Sequence, residues 1–239
     1  MAGEISVEES HVGPVVRPAD DSGMVILYLH DEAGNPQQAL GTAERLTVLT
    51  GATTVCPRYR PGFPAALIDA HSGYSHGQAA GPVVVIGEGI GAALATAMMM
   101  QLRDSEATPP RGAVLLSALL DLSLETKSLL FNASTDPRFD ITALRRRIAD
   151  YARGVPLTDA RLSPLYANLH GLPAVQLLVA GTDPLLDDSL AFATRAARSR
   201  VAVDLHVWPE TDSFRDEAIT AMAAFVKQVT LAPRAGAAA

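Results

Sequence analysis

The sequence predicts an α/β protein built on a mainly parallel central sheet, and three observations carry that prediction. Short apolar runs rich in Val, Ile and Leu recur along the chain. Stretches with helical spacing of apolar residues stand between them. Glycines and acidic residues fall where those helices would stop and start.

The runs are Met24–Leu29, Thr53–Cys56, Val83–Ile86, Ala113–Ser117, Ala174–Ala180 and Val201–Trp208. Most are apolar at successive positions, as strands covered on both faces by helices must be. Leu40, Ala43, Leu46 and Val48–Leu49 put one apolar face on a helix that stops at Gly51, glycine being the usual helix terminator. Leu94, Ala97, Met98 and Leu102 do the same after Gly91, and Leu144, Ile148 and Tyr151 form a third face ending near Gly154. Ala191, Ala193–Thr194 and Ala197 mark a fourth, opened by Asp187, Asp188 and Ser189, which suit a helix N-terminus. Ile219, Met222, Ala223 and Val226 make the last. Strands alternating with helices imply right-handed crossovers in one sheet. A single domain is expected over residues 11–231. Residues 1–10 are expected to be a flexible segment too polar to pack, and residues 232–239 a flexible tail. The Pro-rich stretch Thr108–Arg111 reads as a loop entering a strand.

Composition narrows the function classes. Of 239 residues, 48% are hydrophobic and 19% charged, which excludes a disordered, purely solvated chain. A net charge of −7 argues against a nucleic-acid surface, which needs clustered Lys and Arg. The short run Arg145–Arg147 reads as the wet face of a helix. No apolar run reaches the roughly 18–20 residues of a membrane span, and the acidic opening lacks the basic start and apolar stretch of a leader. The single cysteine, Cys56, leaves no intrachain disulfide or multi-cysteine metal site and suits a reducing compartment. The expectations are a cytoplasmic location, no nucleic-acid partner, no membrane, no cofactor and no metal.

Several segments, in order, resemble the hormone-sensitive-lipase-like branch of the α/β-hydrolase fold, the bacterial esterases with a Ser-His-Asp triad. Val25–His30 resembles the strand leading into that family's His-Gly-Gly-Gly oxyanion loop. Cys56–Arg60 and Phe63–Ala70 resemble the following strand and helix, with the intervening loop shortened to Pro61–Gly62. Gly87-Glu88-Gly89-Ile90-Gly91 falls where the nucleophile elbow belongs. Ser163-Pro164-Leu165 with Gly171-Leu172-Pro173 resembles the approach to a late strand. Gly181–Leu185 resembles the loop of the triad acid, and His206–Phe214 the strand and loop of the triad His. The match runs over about residues 12 to 229 and implies an α/β-hydrolase fold, with the N-terminal cap reduced or absent.

The resemblance also implies a degenerate site. The triad positions it assigns are Gly89, Asp183 and Asp212, of which only Asp183 keeps the family's residue. Glycine at the elbow cannot attack a carbonyl, and a carboxylate at 212 cannot play the imidazole's paired acid and base roles. The oxyanion loop reads His30-Asp31-Glu32-Ala33-Gly34, so acids replace the glycines whose backbone N–H groups would meet a developing oxyanion. His30, Asp31, Glu88, Gly89, Ile90, Asp183 and Asp212 are the pocket candidates, Glu88 belonging beneath the elbow. Ser117, Ser213, Cys56, His71, His76, His170 and His206 each read as structural or surface residues.

Three functions follow as alternatives. The first is a pseudo-esterase that binds a small molecule or a protein in the old cleft. The second is a non-hydrolytic lyase, isomerase or cyclase using Asp183, Asp212 and His30 for proton transfer. The third is an interaction subunit, a homodimer or a pair with a homologue, joined through Val201–Trp208 with Trp208 as an anchor.

Overall fold

A computed structural model describes residues 4–31, 36–133, 139–209 and 214–231. The strands are β1 (Ile5–Ser10), β2 (Gly13–Pro18), β3 (Val25–Leu29), β4 (Thr53–Val55), β5 (Val83–Glu88), β6 (Ala113–Leu116), β7 (Val175–Ala180) and β8 (Val203–Trp208). The helices are α1 (Pro36–Thr50), α2 (Ala65–Ala80), α3 (Ile90–Asp104), α4 (Lys127–Asn132), α5 (Ile141–Ala152), α6 (Leu186–Arg198) and α7 (Phe214–Leu231). They build one eight-stranded sheet in the order β1-β2-β4-β3-β5-β6-β7-β8. Pairings from β4 to β8 are parallel, and β1 and β2 add antiparallel at one edge.

Strand alternation splits the apolar runs between two layers, because successive side chains point to opposite faces. Val25, Leu27 and Leu29 of β3 join Val83 and Val85 of β5 and Leu115 of β6 in one core, against α2, α3, α5 and α6. Ile26, Tyr28, Val84, Ile86, Val114 and Leu116 face the other way, against α1 and α7. Helix α3 lies deepest: Leu94, Ala97, Met98 and Leu102 are buried as expected, and so are most residues between them.

Four details depart from the sequence expectation. Residues 5–10 are not a loose polar leader but the edge strand β1, paired with β2 from Ile5↔Pro18 to Ser10↔Gly13. An edge strand is held by backbone hydrogen bonds and needs no apolar stripe, and its acids suit it: Glu8 accepts from Arg17 at 3.0 Å and Glu9 pairs with Arg58, the charges that discourage edge-to-edge aggregation. On α1 the buried face is Ala39, Ala43 and Leu46, while Val48 and Leu49 stay 39% and 41% exposed. On α6 the buried positions are Asp188, Ser189, Phe192 and Ala196, so the alanine-based reading was out of phase. Strand β8 is a free edge whose Asp204, Leu205, His206 and Val207 are all exposed. The expected tail, residues 232–239, lies outside the described residues.

The loop leaving β6 is pinned by a buried acid. Asp188 Oδ2 accepts from the backbone N–H groups of Leu120 at 2.7 Å and Asp121 at 2.9 Å, and the carboxylate is 1% exposed. Burial pushes its pKa up to about 7, against the pull of those two N–H donors. The folded protein thus keeps a proton that the unfolded chain releases near pH 4, and stability falls as pH rises through that window and levels above it. Asp188→Asn keeps an acceptor for both N–H groups and removes the titration. Relative to the native chain the variant should gain on the order of 4 kcal/mol between pH 4 and pH 7 and nothing more above, read from urea unfolding at a series of pH values. Parallel curves for the two proteins would refute the account.

Candidate functional site

Open parallel sheets place their sites at the carboxyl ends of the strands, here the ends of β3, β5, β6 and β7. Strand β5 turns sharply into α3 through Gly89, with φ of +58° and ψ of −122°. The turn is locked by its own backbone: Gly89 N–H donates to the Leu116 carbonyl, and the Gly89 carbonyl accepts from the N–H groups of Ala92 and Leu119, each at 3.1 Å. Residues with side chains adopt that conformation only under strain, whereas glycine does so freely. Two residues on, a Cβ at Gly91 would lie 2.0 Å from the carbonyl oxygen of Leu29, so only glycine lets α3 sit this close to β3. Ile90 opens the helix and is buried.

The space above the turn is occupied. A Cβ built on Gly89 would stand 2.9 Å from Asp31 Cγ and 3.2 Å from Asp31 Oδ1. The carboxylate of Asp31 therefore fills the volume into which a side chain at position 89 would project. Arg147 of α5 places a guanidinium nitrogen 3.7 Å from Asp31 Oδ1. Both partners are substantially exposed, so the pair adds little stability, but it brings a cation to the mouth of the site. The loop carrying Asp31 is steadied from behind. His30 Nδ1 donates to the Asp31 carbonyl at 3.0 Å, the His30 ring stacks on Tyr59 with centroids 4.9 Å apart, and the Tyr59 hydroxyl donates to the His30 carbonyl.

Glu88 points to the opposite face of the sheet, as strand alternation requires. Its carboxylate accepts from the Tyr28 hydroxyl at 2.5 Å and from Arg215 at 2.8 and 3.2 Å, and Arg215 also donates to Thr42 Oγ1 at 3.3 Å. Burial lifts the Tyr28 hydroxyl well above its ordinary pKa, and the Glu88 charge lifts it further. Burial alone would lower Arg215, and the bonds to Glu88 outweigh it. Between this network and His30, Asp31 and Gln38 lies a niche of about 20 Å³, room for roughly one water.

Asp183 stands in the loop after β7. Its Oδ2 accepts from Ser117 Oγ at 2.6 Å and its Oδ1 from the Leu185 N–H at 2.8 Å, while Asn132 Nδ2 donates to its carbonyl at 2.9 Å. Ser117 directly follows β6 with φ of +41°, a strained backbone that delivers its hydroxyl to the acid. The structure thus brings His30, Asp31, Gly89 and Ile90 to one mouth, turns Glu88 beneath it and ties Asp183 to Ser117. Asp212, Ser213 and Glu32 lie outside the described residues. Of the other residues weighed, His206 sits 3.0 Å from Asp204 on the exposed β8 edge, His71 faces Gln101 at 2.7 Å, and the buried Cys56 thiol is pushed up to about 12.

Sequence reasoning missed Arg147 and Arg215. Arg145, Arg146 and Arg147 are all exposed as expected, but Arg147 is three residues after the buried Leu144 and so flanks the packed stripe, the signal that its guanidinium could also reach Asp31. Nothing in the local sequence marks Arg215, whose partner lies 127 positions away.

A doubly covered parallel sheet with a sharp strand-to-helix turn at its β5–α3 junction defines the hydrolase class of α/β proteins. Residues 32–213 match the family described as alpha/beta hydrolase fold. The chain is 32% identical over 206 residues to an acetyl-hydrolase of Streptomyces hygroscopicus, covering 82% of this chain and 69% of that one. It is 35% identical over 127 residues to an esterase of Acinetobacter venetianus, covering 53% and 42%. The crystal structure of an esterase from the bacterial hormone-sensitive lipase family superposes with a TM-score of 0.86 at 27% identity, over 94% of this chain and 84% of that one. The chain belongs to the α/β-hydrolase family, in its hormone-sensitive-lipase-like branch.

Contact between position 89 and Asp31 is measurable. Gly89→Ala should cost about 1–3 kcal/mol, from strained backbone and the crowded carboxylate together. In an Asp31→Ala background the same substitution should cost less, with a coupling of about 0.5–3 kcal/mol in a urea double-mutant cycle. Strict additivity would show that the two positions do not touch.

Proposed function

We propose that this chain is a catalytically degenerate member of its family that binds rather than hydrolyses. One observation carries the reading: the Asp31 carboxylate stands where the side chain of a nucleophile at position 89 would project. Hydrolysis by the family route needs a hydroxyl there, a base to take its proton and donors for the oxyanion. Glycine supplies no hydroxyl. A carboxylate at the helix start takes up the neighbourhood in which an oxyanion would be stabilised, and it repels a second negative charge. Loss of a triad serine alone costs on the order of 10⁶-fold in a protease, so no remainder at this site rescues ester cleavage.

The alternative of a non-hydrolytic acid–base enzyme has weaker support. Glu88 is committed to Tyr28 and Arg215, and Asp183 to Ser117 and the Leu185 N–H, so neither presents an unencumbered carboxylate to a substrate. Pairing through β8, as a homodimer or with a homologue, has one observation behind it. The strand is an open edge with Leu205 and Val207 at 36% and 46% exposure, a template for another strand. Among the described residues no helix is long and apolar enough to cross a membrane, and the lone buried thiol suits the cytoplasm.

With p-nitrophenyl acetate or butyrate the purified protein should show no turnover above buffer. Turnover that a serine-directed inhibitor abolishes would overturn the reading. Gly89→Ser combined with Asp31→Gly and Asp212→His should restore at most weak activity, since the rest of the oxyanion loop remains altered. For β8, light scattering should give a dimer that Val207→Asp converts to monomer; a native monomer would exclude that pairing.

A further inference from the structure

A second cavity lies at the other end of the sheet. It has a volume of about 730 Å³ and is walled by Tyr74, Pro82, Thr108, Pro110, Leu172 and their neighbours, with Arg111 among them. These residues belong to the segments that enter β5, β6 and β7 and to α2, so the cavity opens at the amino ends of the strands. Gly89 lies six residues along β5 from Val83, roughly 20 Å away at 3.3 Å per residue. The volume falls in the range of small-molecule sites, which are apolar with a few placed polar groups.

Arg111 is the placed group. Its Nε is buried and has no hydrogen-bond acceptor among the described residues. No ion pair of the described residues includes it, and no Asp or Glu lines the cavity. In a chain of net charge −7, a partly buried guanidinium with no ion-pair partner among the described residues is suited to receive an anion. A planar guanidinium matches a carboxylate through two parallel N–H bonds. Proline, leucine, valine and tyrosine side chains make up much of the remaining lining, and they favour hydrocarbon. The wall is also firm: the Tyr74 hydroxyl donates to the Thr108 carbonyl at 2.8 Å, and the Arg111 N–H to the Val83 carbonyl at 2.8 Å.

We propose that this cavity binds a monocarboxylate with an apolar chain or ring, its head on Arg111 and its body along the proline-lined wall. The site is independent of the elbow and of whether the elbow hydrolyses anything. Octanoate is the probe and octanamide its neutral counterpart, titrated by calorimetry against the full chain. Octanoate should bind at least roughly tenfold more tightly than octanamide, and Arg111→Gln should remove that preference while Arg111→Lys keeps part of it. Thr108→Glu, at an exposed rim position, should weaken octanoate to a similar degree by repelling it or by neutralising Arg111, and thermal melts would show that each variant folds. Arg147→Gln should leave octanoate binding unchanged, which separates this cavity from the elbow. No binding of octanoate at millimolar concentration, equal binding of the two probes, or loss on Arg147→Gln in place of Arg111→Gln would overturn the proposal. So would binding that appears only after residues 232–239 are removed, because the cavity would then be the seat of that segment.

Discussion

The close approach of helix α3 to the ends of β3 and β5 governs the rest of this molecule. A Cβ at Gly91 would meet the Leu29 carbonyl at 2.0 Å, and one at Gly87 would meet the Ala92 backbone at 2.6 Å. Only glycines allow the helix to start there, and a helix that starts there points its first N–H groups at the mouth of the site. Those glycines are needed by the packing whether or not a nucleophile stands between them. The turn is therefore held in shape around Gly89, with the Leu116 and Leu119 backbone closing it.

Partner assignment explains how the surrounding charges are arranged. Four carboxylates crowd the carboxyl end of the sheet, and close acids must be separated, paired or protonated. Glu88 is turned to the α1–α7 face and satisfied by Tyr28 and Arg215. Asp183 takes Ser117 and a backbone N–H. Asp188 is buried and holds two N–H donors, and its burial pushes its pKa up to about 7. Asp31 faces Arg147 across the mouth. Each acid has its own counterpart, so among the described residues the end of the sheet is a set of separate contacts beside a niche of about 20 Å³. A ligand-sized space lies at the opposite end, where Arg111 has no ion-pair partner among the described residues.

Much of the fold was legible because its signals are local. The six apolar runs correspond to β3 through β8 within a residue or two, and Leu144, Ile148 and Tyr151 were on the packed face of α5 as their spacing indicated. Misreadings arose where the deciding term was not side-chain hydrophobicity. Strand β1 is held by its ladder to β2 and carries acids outward, so its composition resembled a loose leader. On α6 alanines suggested one phase, but Phe192 with Asp188 and Ser189 is buried instead, and the Asp188 carboxylate is tolerated there because it accepts two backbone N–H groups. The site was legible as positions: glycine at 89, acids in the loop after β3, aspartate at 183. Its contacts were not, because Arg215 to Glu88 and Ser117 to Asp183 span 127 and 66 positions.

By itself the sequence determined the order of β3 to β8 and of α1, α3, α5, α6 and α7 among them, the glycines that shape the elbow and the absence of a hydroxyl at its centre, since each follows from residue identity and short-range spacing. The tertiary structure alone decided that the Asp31 carboxylate stands in the space beside Gly89, that Glu88 turns away beneath it and that Arg111 lines a cavity at the far end without an ion-pair partner among the described residues. Those outcomes depend on which side chains converge from distant segments. Convergence is set by how the two layers of helices pack on the sheet, and no local periodicity encodes it.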